Sequence, residues 1–250
     1  MQPQTLTRRG GATIAYRSSP GKTPGVVCLG GFRSDMTGEK ALGIEAFCRA
    51  RGQAFVRFDY TGHGESAGAF TDGTIGRWAD DAVAVLDELT EGPQILVGSS
   101  MGGWIMLLAA LARPGRVAAL MGTAAAPDFT EDLIAASFTG AQWDTLARDG
   151  VVHLDSEFGD AVPITAALLE DGRRRLLLRE PIQLGVPVRL IHGTADADVP
   201  WQTSLRLADA LRASDVEVIL VKDGDHRLSE ADDVARLCAV LERLLNALDV

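Results

Sequence analysis

The chain has 250 residues, of which 46% are apolar and 23% charged, and this composition excludes intrinsic disorder as its main state. Its 34 acidic residues outnumber the 24 basic ones and give a net charge of −10, which argues against a nucleic-acid-binding face and a polybasic membrane anchor. No run approaches the roughly 20 apolar residues of a membrane helix. We therefore expect one domain over residues 1–250, with no nucleic-acid partner and no membrane insertion.

The cysteines and the N-terminus bear on the cellular compartment. Cys28, Cys48 and Cys238 are an odd number and lie singly in apolar stretches, which argues against a disulfide framework and a CxxC metal site and indicates buried free thiols. The N-terminal segment MQPQTLTRRGG has no apolar stretch after its two arginines, so no secretory signal is predicted. Together these features predict a cytoplasmic protein.

Short apolar runs rich in β-branched residues alternate with longer helical patterns along the chain. The predicted strands are residues 12–16, 25–29, 54–59, 94–98, 117–122, 187–192 and 216–222. Their apolar residues are mostly continuous, which indicates strands covered on both faces of a parallel sheet. The predicted helices are residues 37–51, 74–89, 101–112, 203–213 and 230–248. This order predicts an α/β fold with a mostly parallel, doubly wound sheet.

One segment interrupts this alternation. Residues 128–180 give little strand signal and carry dense charge, as in the run Arg173-Arg174-Arg175. A stretch of this length is too long for a simple connection between two strands. We interpret it as a small, mostly helical cap insertion that covers one edge of the sheet within the same domain.

The clearest chemical signal is the run Gly98-Ser99-Ser100-Met101-Gly102, a Gly-x-Ser-x-Gly motif between a predicted strand and a predicted helix. A serine displayed above a sheet needs a very sharp turn, and the two glycines remove the Cβ atoms that would collide there. A turn that only caps a helix is the alternative, and the strand–turn–helix context disfavours it. Ser100 is therefore the predicted nucleophile, since Ser99 lacks a glycine two residues later.

A serine hydroxyl needs a base to take its proton, and the chain has four histidines. His226 lies in the loop between the last predicted strand and the last helix, at a strand end where α/β sheets hold reactive groups. His63 is predicted to pack in a glycine-rich loop, His192 to shape a turn and His153 to face solvent in the cap. His226 is therefore the predicted base.

Two aspartates, Asp196 and Asp198, follow the predicted strand 187–192 and are candidates to orient that base. We favour Asp196, the fourth residue after the strand, and the resulting order Ser…Asp…His differs from that of chymotrypsin and subtilisin. Asp198 stays open as an alternative, as does Asp128, which follows an earlier strand. Asp225 is interpreted as a surface residue because it is adjacent to the base in sequence.

Two backbone amides are predicted to bind the oxyanion of an acyl-transfer intermediate. Met101 follows the nucleophile at the start of a helix, and Phe32 follows Gly30-Gly31 at the end of an early strand. We further predict an acyl pocket walled by five aromatic side chains: Trp104, Phe129, Phe138, Trp143 and Trp201. Packing in the core is the alternative for all five, and for Trp104 it is the stronger interpretation.

These motifs resemble those of serine hydrolases of the α/β-hydrolase superfamily. More closely, they resemble the abhydrolase group that contains mitochondrial palmitoyl-protein thioesterase, also called mycophenolic acid acyl-glucuronide esterase. The stretches that carry the resemblance are residues 30–41, 57–62, 92–104, 189–204 and 216–227. The cap matches least well, and where many relatives have His-Gly this chain has Gly30-Gly31.

The resemblance implies a triad of Ser100, Asp196 and His226, with Phe32 and Met101 as oxyanion donors. It also implies hydrolysis of acyl esters and S-acyl thioesters without a metal or an organic cofactor.

The sequence therefore predicts a serine hydrolase that cleaves a small-molecule or acyl-protein ester or thioester through an acyl-enzyme. A serine peptidase of the same fold is one alternative, although 250 residues leave no room for the propeller that such enzymes generally add. A non-catalytic ligand-binding member of the fold is the other. The oligomeric state and the acyl chain length are not predicted.

Overall fold

The structure is a computed structural model that describes residues 3–8, 11–155 and 161–248. Its strands are β1 (Gln4–Thr7), β2 (Thr13–Ser19), β3 (Lys22–Leu29), β4 (Gln53–Phe58), β5 (Gln94–Ser99), β6 (Val117–Thr123), β7 (Val151–Leu154), β8 (Val162–Thr165), β9 (Val188–Gly193) and β10 (Val216–Val221). Its helices are α1 (Glu39–Arg51), α2 (Ile75–Leu89), α3 (Met101–Ala112), α4 (Gly140–Asp149), α5 (Ala166–Arg173), α6 (Gln202–Ala210) and α7 (Ala231–Leu248). Every predicted strand and helix occurs, with ends that shift by at most three residues.

Eight strands form one sheet in the order β1-β2-β4-β3-β5-β6-β9-β10. The six strands from β4 to β10 in this order pair in parallel, whereas β2 pairs antiparallel with β1 and β4. The register aligns the strand ends, since Leu29 pairs with Gly98 and Gly193 with Val221. The loops that follow these strands therefore meet at one edge, and the predicted α/β fold with a mostly parallel sheet is confirmed.

Helices cover both faces of the sheet and bury a separate apolar core on each. Helices α1 and α7 pack on one face, where Ile44 and Leu241 are buried. Helices α2, α3 and α6 pack on the other face, around Trp78, Ile105 and Leu207. Each fully buried side chain of this size adds about 1.5–3 kcal/mol of hydrophobic stabilisation, so the two cores fix the strand ends from which the site is built.

The described part of residues 128–180 is mostly helical, as expected, but it also contains a short β-hairpin that the sequence did not predict. A π-helix, Thr130–Ala135, begins the segment, and α4 and α5 follow. Between these two helices, β7 and β8 form an antiparallel hairpin in which Val152 pairs with Ile164. Strands of four residues are too short to show an alternating pattern, which explains why this hairpin was not predicted. Residues 156–160 lie outside the described residues, and the cap's boundaries stay a prediction.

The remaining differences lie at the periphery. Strand β1 was not predicted because only Leu6 of its four residues is buried. All three cysteines are free, and Cys28 and Cys48 are buried as predicted, whereas Cys238 on α7 is only half-buried. Among the described residues, no helix is both long and apolar enough to cross a membrane.

Candidate active site

A sharp turn between β5 and α3 holds Ser100 at the carboxyl edge of the sheet. Ser100 has φ 53° and ψ −119°, a backbone conformation that residues with a side chain rarely adopt. A Cβ atom on Gly98 would lie 2.4 Å from the carbonyl oxygen of Gly102, and one on Gly102 would lie 2.1 Å from that of Leu29. Only glycine fits at these two positions, so the Gly-x-Ser-x-Gly pattern is a steric requirement of the turn.

The side chains of Ser100, His226 and Asp196 form a continuous chain of hydrogen bonds. His226 Nε2 lies 3.0 Å from Ser100 Oγ, and His226 Nδ1 lies 2.8 Å from Asp196 Oδ2. The three residues come from the loops after β5, β10 and β9, which the parallel register brings to one edge. Because an ionised carboxylate only accepts hydrogen bonds, the imidazole proton lies on Nδ1, and Nε2 is free to accept the serine proton.

The Asp196 carboxylate accepts four hydrogen bonds. Besides the bond from His226, Oδ2 accepts one from His192 Nε2 at 3.0 Å, and Oδ1 accepts from the N–H groups of Asp198 and Val199 at 2.9 and 2.8 Å. Burial alone would raise the pKa of Asp196, but the bonds from the two histidines and the Val199 amide hold this pKa well below its ordinary value. The carboxylate is therefore ionised at neutral pH and fixed in orientation.

His192 is the partner of Asp196 that sequence reasoning missed. We expected it to shape a turn, but its side chain is fully buried and lies between Asp196 and Ser204. His192 Nε2 lies 3.0 Å from the Val199 carbonyl oxygen as well, and Nδ1 lies 2.7 Å from Ser204 Oγ. The sequence could have indicated this contact, because His192 ends a buried strand and precedes Asp196 by four residues.

The imidazole hydrogen bond goes to Asp196 rather than to either alternative acid. Asp198 is exposed and donates its backbone N–H to Asp196. The Asp128 carboxylate is fully buried and accepts from the N–H groups of Leu177 and Leu178 at 2.7 and 2.8 Å. Asp128 therefore ties the end of the cap to the loop after β6.

One group of three potential metal ligands occurs among the described residues. Ligand atoms of Asp196, Asp198 and His226 lie within 4.8 Å of one another. A metal ion there would have to displace the hydrogen bonds that already join Asp196 to its four donors. The expected absence of a metal and of an organic cofactor stays a prediction.

The loop after β3, residues 30–36, lies against the nucleophile, and we call it the oxyanion loop. A Cβ atom on Gly31 would lie 3.4 Å from that of Ser100, so backbone and nucleophile are close. The Gly31 carbonyl accepts from Ser34 Oγ at 2.8 Å and from the Ser34 N–H at 3.2 Å. Because C=O and N–H of a trans peptide point in opposite directions, these bonds turn the N–H of Phe32 away from Ser34.

The other predicted donor is the amide of Met101, the first residue of α3. The N–H groups of a first helical turn have no partner within the helix, and they form its positive end. Ser100 precedes this turn, so a negative charge that develops at the nucleophile faces it. The roles of the Phe32 and Met101 amides as oxyanion donors stay predictions.

Of the predicted pocket aromatics, Phe129 contacts the oxyanion loop and Trp104 contacts Phe129. The ring of Phe129 packs edge-on against that of Phe32, with centroids 5.6 Å apart, and against that of Trp104 at 5.8 Å. Trp104 has no exposed surface, and its indole N–H donates to the Arg175 carbonyl. This placement favours core packing for Trp104.

The other three aromatics lie in the cap and at the start of α6. The rings of Phe138 and Trp143 contact each other in the cap, with centroids 5.2 Å apart, and Trp143 is 38% exposed. Trp201 is half-buried just before α6. Their part in a substrate pocket stays a prediction.

A cleft of about 220 Å³ opens between the loop after β6, the π-helix and α6. The N–H of Ala126, on one wall, donates to the Ser100 carbonyl at 3.0 Å, which attaches the cleft to the nucleophile turn. On the polar side, Asp132 pairs with Arg206 at 3.3 Å. Its apolar lining comes from Ala126, Pro127, Leu133, Val199 and Pro200.

The comparison with protein families agrees with this geometry. Residues 26–239 match the family described as the alpha/beta hydrolase family. The chain belongs to this family. The resemblance seen in the motifs is thereby confirmed, and so is the prediction of a hydrolase.

Curated relatives match over nearly the whole chain. Palmitoyl-protein thioesterase ABHD10, mitochondrial, of Mus musculus is 42% identical over 237 residues, which cover 94% of this chain and 80% of that protein. The protein of the same name in Homo sapiens is 39% identical over 240 residues, covering 94% and 77%.

Solved structures also match over nearly the whole chain. The alpha/beta hydrolase domain-containing protein 10 from mouse has a TM-score of 0.91 at 40% identity and covers 99% of this chain and 100% of that one. A putative hydrolase from Agrobacterium vitis S4 has a TM-score of 0.92 at 40% identity, with coverage of 97% and 98%.

The expectation of a cytoplasmic protein is wrong. The curated relatives carry names that place those proteins in mitochondria. The expectation depended on free cysteines and on the missing signal for secretion, and neither feature distinguishes the cytosol from another reducing compartment.

Proposed function

We propose that the chain hydrolyses acyl thioesters and esters through Ser100, His226 and Asp196, with a covalent acyl-enzyme intermediate. The observation that carries the proposal is the unbroken chain of hydrogen bonds between these side chains, with distances of 3.0 and 2.8 Å. The name palmitoyl-protein thioesterase, which the relatives at about 40% identity share, supports the thioester as a substrate.

In the first half-reaction, His226 Nε2 takes the proton of the Ser100 hydroxyl while Oγ attacks the acyl carbonyl carbon. The imidazolium that forms is stabilised at Nδ1 by the ionised Asp196. The low pKa of this carboxyl matters because a protonated acid would offset none of the ring's positive charge.

The tetrahedral intermediate places a negative charge on the former carbonyl oxygen, where the amides of Phe32 and Met101 donate hydrogen bonds. The intermediate collapses as His226 returns the proton to the leaving sulfur or oxygen, which departs as a free thiol or alcohol. A water molecule then attacks the acyl-enzyme, with the same imidazole as base, and releases the carboxylic acid and free Ser100.

The cleft beside the nucleophile turn is the proposed acyl subsite. Its apolar lining favours a hydrocarbon chain, and each methylene that enters it contributes about 0.8 kcal/mol, or roughly fourfold in kcat/KM. We therefore expect kcat/KM to rise with acyl chain length until the cleft is full.

A fluorophosphonate probe tests the nucleophile directly, with adjacent serines as a matched pair. We expect labelling of the wild type and of Ser99→Ala but not of Ser100→Ala. Turnover of p-nitrophenyl esters and of S-acyl thioesters should fall by about 10³-fold or more in Ser100→Ala alone. An unlabelled wild type, or a labelled Ser100→Ala variant, contradicts the proposal.

The same assay decides between substrate classes. Wild-type protein is given an acyl-CoA thioester series, a p-nitrophenyl ester series and a peptide anilide. We expect cleavage of the thioesters and esters. Cleavage of the anilide alone would replace the proposal with the peptidase alternative.

A further inference from the structure

The oxyanion loop has to be held by its neighbours, because its first residues, Gly30 and Gly31, carry no side chains. Ser34 fixes the Gly31 carbonyl from within the loop. The part that follows Phe32 instead contacts residues 59–66, the loop after β4. We call this second loop the support loop.

Two side chains of the support loop accept hydrogen bonds from backbone N–H groups of the oxyanion loop. His63 Nε2 accepts from the Arg33 N–H at 3.2 Å, and Asp59 Oδ1 accepts from the Met36 N–H at 2.6 Å. The backbone of Arg33 has φ 60°, which a residue with a side chain keeps only when its surroundings fix it. The Arg33 N–H belongs to the peptide that follows Phe32, so its orientation sets the backbone of Phe32 itself.

His63 is held in the protonation state that this bond requires. Nε2 has to be unprotonated to accept from an N–H, and Nδ1 faces the Thr61 carbonyl oxygen at 3.4 Å, where it carries the proton. Burial lowers the pKa of His63 to about 4, so the imidazole is neutral at physiological pH.

Aromatic rings enclose the imidazole and fix its plane. The ring centroids of Phe70, Trp78 and Tyr60 lie 5.2, 5.1 and 5.7 Å from that of His63. The Trp78 indole N–H donates at 3.0 Å to the same Thr61 carbonyl that faces the imidazole. A phenylalanine would fill this space equally well, but only a side chain with an acceptor at the place of Nε2 would also hold the oxyanion loop.

We propose that His63 is a positioning residue for the proposed hydrolysis: its imidazole fixes the Arg33 peptide and thereby keeps the Phe32 amide directed at the oxyanion. The inference rests on the proposed function. Complete loss of one oxyanion donor costs about 10²–10³ in turnover, and a displaced donor costs less, so removing this bond should lower kcat by about 10- to 100-fold.

Two polar substitutions separate the hydrogen bond from packing. The side-chain oxygen of His63→Gln reaches the place of Nε2, whereas that of His63→Asn reaches only the place of Nδ1. His63→Phe removes both acceptors and keeps a ring. We expect the asparagine and phenylalanine variants to lose about 10- to 100-fold in kcat, with KM within about twofold, and the glutamine variant to stay within about fivefold of wild type.

A trifluoromethyl ketone, which forms a tetrahedral adduct with a nucleophilic serine, provides the second measurement. Its affinity should fall in each variant by the same factor as kcat, because both depend on the oxyanion donors. His153→Phe, on the exposed face of β7, is the control for loss of an imidazole and should keep wild-type kcat.

The outcomes are distinguishable. Wild-type kcat and ketone affinity in both His63→Asn and His63→Phe would overturn the inference and leave the proposed function intact. Equal losses in the asparagine and glutamine variants would overturn it as well, because the accepted bond would then not be the cause. If the phenylalanine variant does not fold, the asparagine and glutamine pair decides alone. If the wild-type protein cleaves no ester or thioester, that result contradicts the proposed function itself.

Discussion

The carboxyl edge of the sheet and the cap hold their polar groups in opposite ways. At the edge, Asp196 has no exposed side-chain surface and accepts four hydrogen bonds. In the cap, a typical pair joins Arg174 to Glu170 at 2.7 Å, with side chains 60% and 72% exposed. Exposed pairs contribute about 0–1 kcal/mol, whereas buried carboxylates depend on every donor they have. The Asp196 carboxylate is therefore held in a fixed geometry, whereas this exposed pair in the cap is not.

Two buried acids hold the cap in place, one by joining its two ends and one by joining it to the rest of the chain. Asp128 accepts from the N–H groups of residues 177 and 178, at the far end of the cap. Asp171 accepts from the N–H of Gly76 at 2.6 Å, which ties α5 to the start of α2. Between these residues the cap forms the β7–β8 hairpin, and its Ile164 and Leu168 are buried in the same apolar cluster as Trp104. The proposed catalytic residues Ser100, His226 and Asp196 lie at the edge, and none of them lies in the cap.

The largest effect separates two buried aspartates, one from each region. Asp196→Asn should lower kcat by roughly 10³–10⁴-fold, because an amide does not hold the required tautomer of His226 or offset its charge. Asp128→Asn should keep kcat within about threefold but lower the free energy of unfolding by about 1–3 kcal/mol, because an amide NH₂ would face backbone N–H groups. Steady-state kinetics and urea unfolding check both, and a reversed pattern would make Asp128 the catalytic acid.

Glycines give the next largest contrast. Gly102→Ala should cost roughly 3 kcal/mol of stability and most of the activity, because its Cβ would lie 2.1 Å from the Leu29 carbonyl oxygen. Gly140→Ala in the cap has open space around its Cβ and should add about 0.4–1 kcal/mol, because alanine lowers the conformational entropy of the unfolded chain. Urea unfolding midpoints measure both. Equal effects would contradict the difference in rigidity between the two regions.

Low pH should lower the free energy of unfolding through protonation of Asp196. Because the pKa of this carboxyl is lower in the folded state than its ordinary value of 3.8, the unfolded chain binds the proton more tightly. The ionised group therefore stabilises the fold at neutral pH, and this contribution is lost as pH falls below about 4 through the folded-state pKa. The stability advantage of wild type over Asp196→Asn should shrink from pH 7 to about pH 3. A constant difference would mean that the pKa is not lowered.

The smallest effect is expected in the cap. Trp143 is 38% exposed and contacts Phe138, so Trp143→Ala should leave kcat unchanged and lower stability by about 1 kcal/mol or less. If this pair borders the acyl path, KM should rise a few-fold for long-chain thioesters and stay constant for acetyl thioesters. A chain-length series of KM values measures this. An equal change for all chain lengths would remove Trp143 from the predicted pocket.

Residues whose position depends on local sequence could be predicted. The turn at Ser100 needs glycines at fixed spacing, and the loop with His226 follows a strand with an unmistakable apolar pattern. The mostly parallel fold followed from the same patterns and is confirmed. The meeting of His226 with an acid needed only the rule that parallel strands end at one edge, whereas the choice of Asp196 over Asp198 and Asp128 stayed open in the sequence.

Contacts between distant loops could not be predicted. The acceptor role of His63 depends on a backbone N–H thirty residues away in a loop with a positive φ, which no side-chain pattern encodes. The bond from His192 to Asp196 depends on which face of β9 the ring occupies. The hairpin in the cap was missed because its strands are too short to show a period.

The central claim is that the acyl group passes through Ser100. Acid quenching of wild-type protein during turnover of a long-chain thioester, followed by mass spectrometry of the peptide with both serines, tests it most directly. We predict an added acyl mass that fragmentation assigns to Ser100, and its absence in Ser100→Ala. An acyl group on Ser99, or full turnover with no acyl adduct on the chain, would contradict the account.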